Sequence, residues 1–465
     1  MPAVKRKNKG YYKFGSKVFA SAHPCLNKEI FSELFGSFSF TASEIIMSEC
    51  EPFELRVGDA DPIDVDEYEY ALNVTEGGIY LGAQSAEGLI HGFYSLLEMI
   101  EPVCLDEGRE ELAVPCLTLL DKPDLAVRSV HLCLFPEDEL WELEKYIRTA
   151  AVLKCTHIVL EFWGTLRFDA LKELAWREHS YTKDEIRPLI KLANDMGVKV
   201  IPMFNHWGHA SLSRGRIGKH TVLDQNPRLA TLFSRSGWVW NIGSERVKEL
   251  HAAIRRELIE LCGECEYFHI GCDEAIICDD TSVYEQVARY INEVSNDIIS
   301  LGRVPLMWGD MLLLKSQFDR EKHYECNVRD EGVERMMLDG LSRDITVVDW
   351  QYEVTEAPFK TSEHLSSLGF SVMTAPSDKT TANVACAVRT AEELSLDGVM
   401  HTTWHTRYKG IRPMTLALRR AWNRDFDWCD DEIMYAAAVV GKAHPAHGNY
   451  ERAGWAREQI ALGFE

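Results

Sequence analysis

The sequence predicts an α/β protein in which a small α/β domain precedes a (β/α)8 TIM barrel. From residue 127 onward, short apolar runs alternate with amphipathic stretches of helical period, which is typical of repeated βα units. Eight such units over roughly 300 residues fit a closed barrel better than an open doubly wound sheet. No Gly-rich phosphate loop follows the first run, which also disfavours a nucleotide-binding sheet.

The predicted barrel strands are continuous apolar runs, as expected for parallel strands that are buried on both faces. They cover residues 127–134, 157–162, 198–204, 267–271, 304–308, 345–350, 371–375 and 398–403. Between them, apolar residues at helical spacing predict helices, for example over 245–261 and 282–301. The longest connection runs from about residue 206 to 243 without clear periodicity, and long loops of this kind usually belong to an active site.

The first 120 residues have a different pattern. Strands are predicted at 53–57, 68–74 and 79–81, with a turn between the last two, and a helix at 85–100. We therefore predict a small α/β domain over residues 1–120. The catalytic barrel, with a C-terminal helical tail, is predicted over 121–465.

Charge and composition exclude several classes of function. The chain has 465 residues, 46% of them hydrophobic, and its 73 acidic against 50 basic side chains give a formal charge of -23. This charge repels nucleic acids and anionic lipids, so neither is an expected partner. No apolar run reaches the roughly 18 residues of a transmembrane helix. The basic start of the chain lacks a signal-peptide core, so we expect a cytoplasmic protein.

The cysteines indicate reduced thiols rather than a disulfide framework, because there are 13 of them, an odd number. Cys262, Cys265, Cys272 and Cys278 are a weak candidate for zinc, since an apparent strand separates the two pairs. We therefore predict neither a metal nor an organic cofactor.

The carboxyl ends of barrel strands are where loops converge and chemistry takes place. Here they carry tryptophans and carboxylates rather than the groups that phosphoryl or hydride transfer requires. Indole rings stack on the apolar faces of sugars, and carboxylates accept sugar hydroxyls. We therefore predict a carbohydrate site lined by Trp308, Trp350 and Trp404, the alternative being that these rings belong to the barrel core.

The sharpest local feature is the sequence His-Ile-Gly-Cys-Asp-Glu at residues 269–274, at the end of the fourth predicted strand. Two adjacent carboxylates repel each other unless one is protonated or each has its own partner, and such pairs can hold separated pKa values. Asp273 and Glu274 are therefore candidates for acid–base catalysis. The alternative is an acidic helix start that the helix dipole stabilises.

This motif resembles the His-x-Gly-x-Asp-Glu sequence of family 20 glycoside hydrolases, the β-N-acetylhexosaminidases. Further segments resemble the family in the same order: its Asp-x-Pro entry to strand one at 121–128, its Tyr-Thr-x-Glu helix start at 181–185, and its third strand with a Pro-Gly-His loop at 200–209. Residues 89–100 resemble the helix of its small domain. The resemblance thus extends over most of the chain.

The resemblance implies an exo-acting, retaining β-N-acetylhexosaminidase whose nucleophile is the substrate's own 2-acetamido oxygen. Glu274 would protonate the leaving oxygen and then activate water, while Asp273 would orient the acetamido group and stabilise its developing charge. Arg128 would hold hydroxyls of the terminal sugar, and His209 would lie behind the acid unless it is merely structural. The three tryptophans would wall the acetamide pocket.

The sequence departs from the commonest family members at three places. Glu161 occupies a strand-two position that usually holds His. The acetamide-holding Tyr expected after strand seven is missing, and Tyr352 is one candidate to replace it. The Glu of a Trp-x-Glu motif after strand eight is also missing. Asp310 is a candidate to bind the outer hydroxyls in its place, as in a divergent branch of cytoplasmic exo-enzymes that the chain resembles.

The implied substrate is an oligosaccharide or glycoconjugate with a terminal β-linked N-acetylglucosamine. N-acetylgalactosamine and a modified N-acetylglucosamine stay open as alternative sugars, and a homodimer as an alternative to a monomer. Two further classes of function also stay open. One is a sugar-binding barrel without turnover, which the missing tyrosine motivates. The other is a metal-dependent hydrolase with His206, His209, Glu161 and Asp310 as ligands.

Overall fold

The computed structural model describes residues 4–15, 17–36, 44–104, 110–135, 138–162, 164–176, 180–211, 222–235, 237–275, 282–318, 324–404 and 407–426, together with 439, 440 and 443. Within these residues a mixed sheet is followed by a closed parallel barrel. This confirms the predicted fold class, a TIM barrel preceded by a small α/β unit. Most of the predicted helical tail lies outside the described residues.

The N-terminal sheet has eight strands in the order β1-β8-β5-β6-β4-β2-β3, with β7 also paired to β8. The strands are β1 (Val4–Lys13), β2 (Lys17–Ala22), β3 (Glu44–Glu49), β4 (Glu54–Gly58), β5 (Tyr70–Val74), β6 (Gly78–Ala83), β7 (Glu101–Cys104) and β8 (Glu110–Asp121). Two helices accompany them, α1 (Lys28–Gly36) and α2 (Ala86–Met99). Helix α2 packs against β5 and β6.

The structure places β4, β5, β6 and α2 on predicted segments, and Ser85 caps α2 by accepting the Gly88 N–H at 3.1 Å. It also contains strands that the sequence pattern did not indicate, β1 and β8 among them. Strand β1 is rich in lysine and lies at an edge of the sheet. Charged side chains are common on edge strands because they oppose further pairing, and they remove the apolar alternation that marks a strand.

The barrel closes in the order β10-β11-β12-β13-β14-β15-β16-β9, with every pair parallel. Its strands are β9 (Val127–Leu134), β10 (His157–Phe162), β11 (Lys199–Met203), β12 (Tyr267–His269), β13 (Val304–Trp308), β14 (Thr346–Trp350), β15 (Ser371–Ala375) and β16 (Gly398–Thr402). All eight lie on the predicted apolar runs. Continuous hydrophobicity was therefore a sufficient signal for the strands of this barrel.

Helices surround the barrel between and after the strands. They are α3 (Leu140–Val152), α4 (Lys183–Asp195), α5 (Val222–Gln225), α6 (Glu245–Cys262), α7 (Ser282–Ser300), α8 (Lys315–Phe318), α9 (Glu331–Gly340), α10 (Lys360–Ser367), α11 (Thr381–Glu393) and α12 (Arg407–Trp422). Thr182 and Glu185 form a capping box at the start of α4. In the described part of the chain, no helix combines the length and apolar character needed to cross a membrane.

The barrel interior is filled by side chains that alternate along the strands, as in other barrels of this type. Val159, Ile201, Leu306, Met373 and Met400 form part of one buried inner cluster. The opposite faces of the strands pack against the helices in a much larger apolar core that continues into the N-terminal sheet. The packed interior supports the loops at the carboxyl end, where the candidate site lies.

A buried group of charged and aromatic side chains joins the two parts of the protein at the amino end of the barrel. This interdomain cluster consists of Tyr70, Asp121, Arg128, Lys154 and Trp422. The Asp121 Oδ2 accepts hydrogen bonds from the Tyr70 hydroxyl at 2.7 Å and from the Trp422 Nε1 at 2.9 Å. The Lys154 Nζ lies 3.6 Å from the same oxygen and 3.8 Å from the centre of the Trp422 ring. Burial lowers the pKa of Lys154 to about 8.

Candidate active site

The loop that follows β12 carries the two adjacent carboxylates at the carboxyl end of the barrel. Its backbone has positive φ at Gly271 (69°), Cys272 (75°) and Glu274 (43°). Glycine adopts this conformation freely, whereas it is strained for the other two residues, and such strain concentrates at functional sites. The Trp308 N–H donates to the Gly271 carbonyl at 2.9 Å and ties the loop to β13.

Asp273 is the buried member of the pair, with 4% of its surface exposed. Its Oδ1 accepts a hydrogen bond from the Asn205 Nδ2 at 2.6 Å, and its Oδ2 lies 3.2 Å from the His209 Nε2. Asn205 follows β11, and its Oδ1 accepts the Cys272 N–H at 2.9 Å. One carboxamide therefore joins the two strand ends and fixes the orientation of the Asp273 carboxylate.

Glu274 is the exposed member of the pair. Its side chain is 41% exposed, and its Oε2 lies 3.1 Å from the His209 Nε2. The main chain at this residue is fixed on both sides: its N–H donates to the Asp310 Oδ2 at 2.9 Å, and its carbonyl accepts the Trp238 Nε1–H at 2.5 Å. The residue therefore presents a carboxyl group to solvent from a rigid backbone.

His209 links the two carboxylates. Its Nε2 can carry only one hydrogen, so the carboxylates of Asp273 and Glu274 compete for it. The imidazole packs on the Trp238 ring with 4.7 Å between centroids. The preceding Gly208 approaches so closely that a Cβ there would lie 1.9 Å from the Asp273 carbonyl oxygen. Only glycine allows this loop to lie against the carboxylate pair.

The prediction that Asp310 binds outer hydroxyls of the sugar is corrected by the structure. The residue is 1% exposed. Its Oδ2 accepts hydrogen bonds from the Glu274 N–H and from the Asn327 Nδ2 at 2.7 Å, while its Oδ1 accepts the Trp350 Nε1–H at 3.0 Å. Burial, with the nearby Asp273 carboxylate, raises the pKa of Asp310 to about 7. Asp310 therefore organises the backbone and the aromatic wall instead of facing the opening.

Aromatic side chains lie beside the carboxylates. Trp350 and Tyr352 have ring centroids 5.0 Å apart. The Tyr352 hydroxyl oxygen accepts the Trp404 Nε1–H at 2.5 Å, and burial raises the pKa of the phenol well above its usual range. Tyr352 therefore stays protonated and keeps a hydrogen to donate. Trp404 is partly exposed, whereas Trp308 has no exposed surface and packs against Trp404. Trp308 therefore belongs to the barrel core, which was the alternative to a role in lining the sugar site.

Two further predicted sugar ligands are buried and engaged by other groups of the protein. Arg128 is the second residue of β9, at the amino end of the barrel, and its guanidinium donates to the carbonyls of Leu125 and Lys154 at 2.8 and 2.9 Å. Glu161 is fully buried, and its Oε2 lies 2.9 Å from the His131 Nε2. The predictions for Arg128 and Glu161 are therefore wrong in this structure. Arg128 belongs to the interdomain cluster, and Glu161 to the barrel interior.

The four residues weighed as metal ligands face separate partners. His206 Nε2 lies 3.2 Å from the Arg255 Nη1, which cannot coexist with a cation at that nitrogen. Asp310 is engaged by the donors described above, and Glu161 by His131. His209 contacts the carboxylate pair. The structure does not bring these four side chains together as a metal site.

Potential ligand atoms do approach one another at the opposite end of the barrel. The potential ligand atoms of His157, Cys265 and Glu266 all lie within 4.8 Å of one another. In the described part of the chain, this is the group of three such residues whose ligand atoms lie that close together. The Lys199 Nζ lies 3.3 Å from the Glu266 carboxylate. An ammonium group therefore already balances the charge that would attract a metal ion there.

Several residues of the site were not assigned a role from the sequence. Asn205 stands at a strand end, but a carboxamide gives no signal by its type alone. Trp238 lies in the long loop after β11 and Asn327 in the segment after β13, where periodicity is absent. His131 lies within β9, and its ring packs 4.6 Å from Trp404. Its inward position could have been deduced from the alternation of the strand.

Comparison with known proteins agrees with this fold. A family model described as "Glycosyl hydrolase family 20, catalytic domain" matches residues 160–380. The chain is similar to a beta-hexosaminidase of Vibrio furnissii, with 27% identity over 185 residues, which are 33% of this chain and 30% of that protein. It is similar to Hexosaminidase D of Bos taurus, with 23% identity over 204 residues, 40% of this chain and 56% of that protein. Both matches span less than two thirds of the relative's own length.

Among solved structures, the chain is similar to Streptomyces plicatus N-acetyl-beta-hexosaminidase in complex with Thio-NAglucal. The TM-score is 0.68 at 16% sequence identity, and the match covers 97% of this chain and 94% of that chain. At this identity the likeness concerns the fold. The similarity includes both the N-terminal sheet and the barrel, because it extends over nearly the whole chain.

Proposed function

We propose that the protein is an exo-acting, retaining β-N-acetylhexosaminidase. The match of residues 160–380 to the catalytic-domain model of glycosyl hydrolase family 20 supports this proposal. Its substrate is an oligosaccharide or glycoconjugate with a terminal β-linked N-acetylglucosamine, with N-acetylgalactosamine as the alternative sugar. The observation that carries the proposal is the pair at the end of β12: a buried Asp273 and an exposed Glu274 that share one imidazole, His209.

The placement of the pair favours substrate assistance. A protein nucleophile and a general acid must flank the anomeric carbon from opposite faces, with carboxyl groups about 5 Å apart. Asp273 and Glu274 are neighbours on one loop and contact the same nitrogen. An acetamido group on the substrate can supply the nucleophile instead, which leaves the two carboxylates with different tasks.

In the first step the acetamido oxygen attacks C1 and Glu274 donates its proton to the departing glycosidic oxygen. Asp273 accepts the acetamido N–H and stabilises the positive charge of the bicyclic oxazolinium ion. In the second step Glu274 takes a proton from water and the water oxygen bonds to C1. The bond between C1 and the acetamido oxygen breaks at the same time, which restores the acetamido group and retains the configuration at C1. The fixed Asn205 contact at 2.6 Å keeps the Asp273 carboxylate oriented through both steps.

The aromatic side chains would hold the acetamido group. Trp350, Tyr352 and Trp404 supply an apolar wall with one hydroxyl in it. The Tyr352 oxygen accepts hydrogen bonds from the Trp404 Nε1–H and from the Thr402 hydroxyl at 3.2 Å, so the phenolic hydrogen can be donated to the acetamido oxygen. Tyr352 thereby replaces the tyrosine that the sequence lacks after strand seven.

We place the protein in the cytoplasm. Cysteines such as Cys155, Cys262 and Cys272 are free thiols, and cytoplasmic thiols are kept reduced. The glycans that it meets there would be soluble oligosaccharides or cytoplasmic glycoconjugates.

Substrate discrimination provides the first test. We expect hydrolysis of an aryl β-N-acetylglucosaminide but not of the matching aryl β-glucoside, because the glucoside lacks the internal nucleophile. Adding a chelator is expected to leave the rate unchanged. Equal cleavage of both substrates would contradict the assisted mechanism. Binding of N-acetylglucosamine without turnover of any acetamido glycoside would instead indicate a sugar-binding barrel.

Asp273→Asn tests the role of the buried carboxylate. We expect it to weaken binding of a thiazoline mimic of the oxazolinium ion at least ~10-fold, because a preorganised negative charge is replaced by a neutral amide of the same shape. The inhibition constant and the thermal midpoint are measured together. Asp349→Asn is the matched control, since Asp349 is a buried carboxylate bonded to Thr361 and Ser362 away from the pair. Unchanged affinity in Asp273→Asn would remove Asp273 from this role.

A further inference from the structure

A buried histidine follows Asn205, the residue that orients Asp273, and takes no part in the mechanism described above. His206 has no exposed surface and follows Asn205 at the end of β11. Its Nδ1 lies 2.6 Å from the Phe204 carbonyl oxygen, and its Nε2 lies 3.2 Å from the Arg255 Nη1. The imidazole therefore lies between its own strand and helix α6.

These two contacts fix a single form of the imidazole. A guanidinium can only donate hydrogen bonds, so the Nε2 that faces Arg255 must accept. The hydrogen is consequently on Nδ1 and is donated to the Phe204 carbonyl. Burial and the positive charge of Arg255 lower the pKa of His206 to about 3, so the ring stays neutral. His251 on α6, with 4.9 Å between ring centroids, packs against the same imidazole.

Arg255 is itself held in place. It is 4% exposed, and its Nε and Nη2 both donate to the Asp297 Oδ2 on α7, the Nε at 2.9 Å. A guanidinium bound through two nitrogens loses little further freedom when its remaining N–H groups bond. Helices α6 and α7 thus present a fixed donor to the end of β11.

The main chain carries this constraint to the carboxylate pair. The His206 N–H donates to the Ile270 carbonyl at 2.9 Å, while Asn205 bonds through its side chain to both the Cys272 N–H and Asp273. Two consecutive residues therefore bind the segment that follows β12, His206 through its main-chain N–H and Asn205 through its side chain. We therefore expect a displacement of the backbone at His206 to displace the Asn205 amide as well.

We propose that Arg255 and His206 are positioning residues, which orient Asp273 towards the substrate's acetamido group by fixing the Asn205 carboxamide. This inference rests on the proposed function, in which the Asp273 carboxylate stabilises the oxazolinium ion. The side chains of α6 and α7 would keep that carboxylate aligned. Neither residue touches the substrate. Displacements of about 1 Å at reacting groups can cost on the order of 10²-fold in rate, so a support of this kind has a measurable catalytic effect.

Arg255→Met tests the proposal. We expect kcat on an aryl β-N-acetylglucosaminide to fall ~10-fold or more while KM changes less than ~3-fold, because alignment matters most in the transition state. Affinity for the thiazoline mimic should fall in parallel with kcat. Arg255→Lys should recover much of the loss, since it keeps a cationic donor to the imidazole.

Arg303→Met is the control for simple destabilisation. Arg303 is 8% exposed and donates to the Gly263 carbonyl at the other end of α6. We expect it to lower the thermal midpoint without changing kcat or thiazoline affinity. The proposal is overturned if Arg255→Met keeps wild-type kcat and thiazoline affinity, or if Arg303→Met loses both to the same extent.

A measurement on the unmodified protein covers the case in which Arg255→Met does not fold. Nitrogen-15 NMR of the His206 ring should show the neutral form with hydrogen on Nδ1 between about pH 5 and pH 8. A ring that titrates in this range, or that carries its hydrogen on Nε2, overturns the proposal. Absence of hydrolysis and thiazoline binding in the wild type would instead overturn the proposed function, and the two failures are thus distinguishable.

Discussion

Glu274→Gln is expected to lower kcat on an aryl β-N-acetylglucosaminide at least ~10²-fold, because the amide cannot deliver the proton that the leaving oxygen requires. The substitution preserves the shape of the side chain. The backbone contacts of residue 274 with Asp310 and Trp238 involve main-chain atoms and are retained. The loss therefore reports on proton transfer and not on the position of the loop.

The dependence on the leaving group sharpens this test. An aryl group of low pKa needs little protonation as it departs, so the deficit of Glu274→Gln should shrink as leaving-group pKa falls. Glu353→Gln serves as the control, since Glu353 forms an exposed ion pair with Lys379 at 2.6 Å. Its kcat should stay near that of the wild type. A Glu274→Gln enzyme with wild-type rates on poor leaving groups would exclude Glu274 as the acid.

Asp121→Ala should have the largest effect on stability, with a loss of about 3–5 kcal/mol, the range for removing one partner of a buried ion pair. Asp121 accepts two hydrogen bonds and lies 3.6 Å from Lys154, whose side chain is 2% exposed. Without the carboxylate, the ammonium is left buried against Tyr70 and Trp422. Denaturant unfolding followed by tryptophan fluorescence measures the loss.

Asp169→Ala provides a matched aspartate control. Asp169 pairs with Lys183 at 2.5 Å, but its side chain is 72% exposed. Exposed pairs contribute little, so the unfolding midpoint should barely move. Equal midpoints for Asp121→Ala and the wild type would show that the interdomain cluster does not hold the two parts together. A biphasic transition in Asp121→Ala alone would show that the cluster couples their unfolding.

The strands and helices could be predicted from the sequence where their burial leaves a recognisable pattern of apolar residues. Strands such as β13 and β15 are enclosed on both faces and read as unbroken apolar runs. Strand β1 could not be predicted in this way, because it is a lysine-rich edge strand without an apolar repeat. The closed barrel also brings the strand ends together, so the location of the site followed from the fold.

Side-chain roles were less predictable because they depend on the partner that each group meets. Arg128 is the second residue of β9 and so lies at the start of the strand rather than at its carboxyl end. Counting residues along the predicted strand would have shown this from the sequence. Asp310 follows its strand at the expected place, yet a backbone N–H, a carboxamide and an indole occupy it. The sequence around Asp310 does not indicate these three hydrogen-bond donors, because they lie in separate segments of the chain.

The interdomain cluster also sets an order of folding. Asp121 is the last residue of β8, whereas Trp422 is the last residue of α12, 301 residues later in the chain. During synthesis, Asp121 and Lys154 emerge long before the indole that completes their enclosure. The N-terminal sheet can form early, but its docking is finished only when α12 has been made and the barrel has closed. Until then the charged pair stays hydrated, which makes docking a late and strongly non-local event in the assembly of this protein.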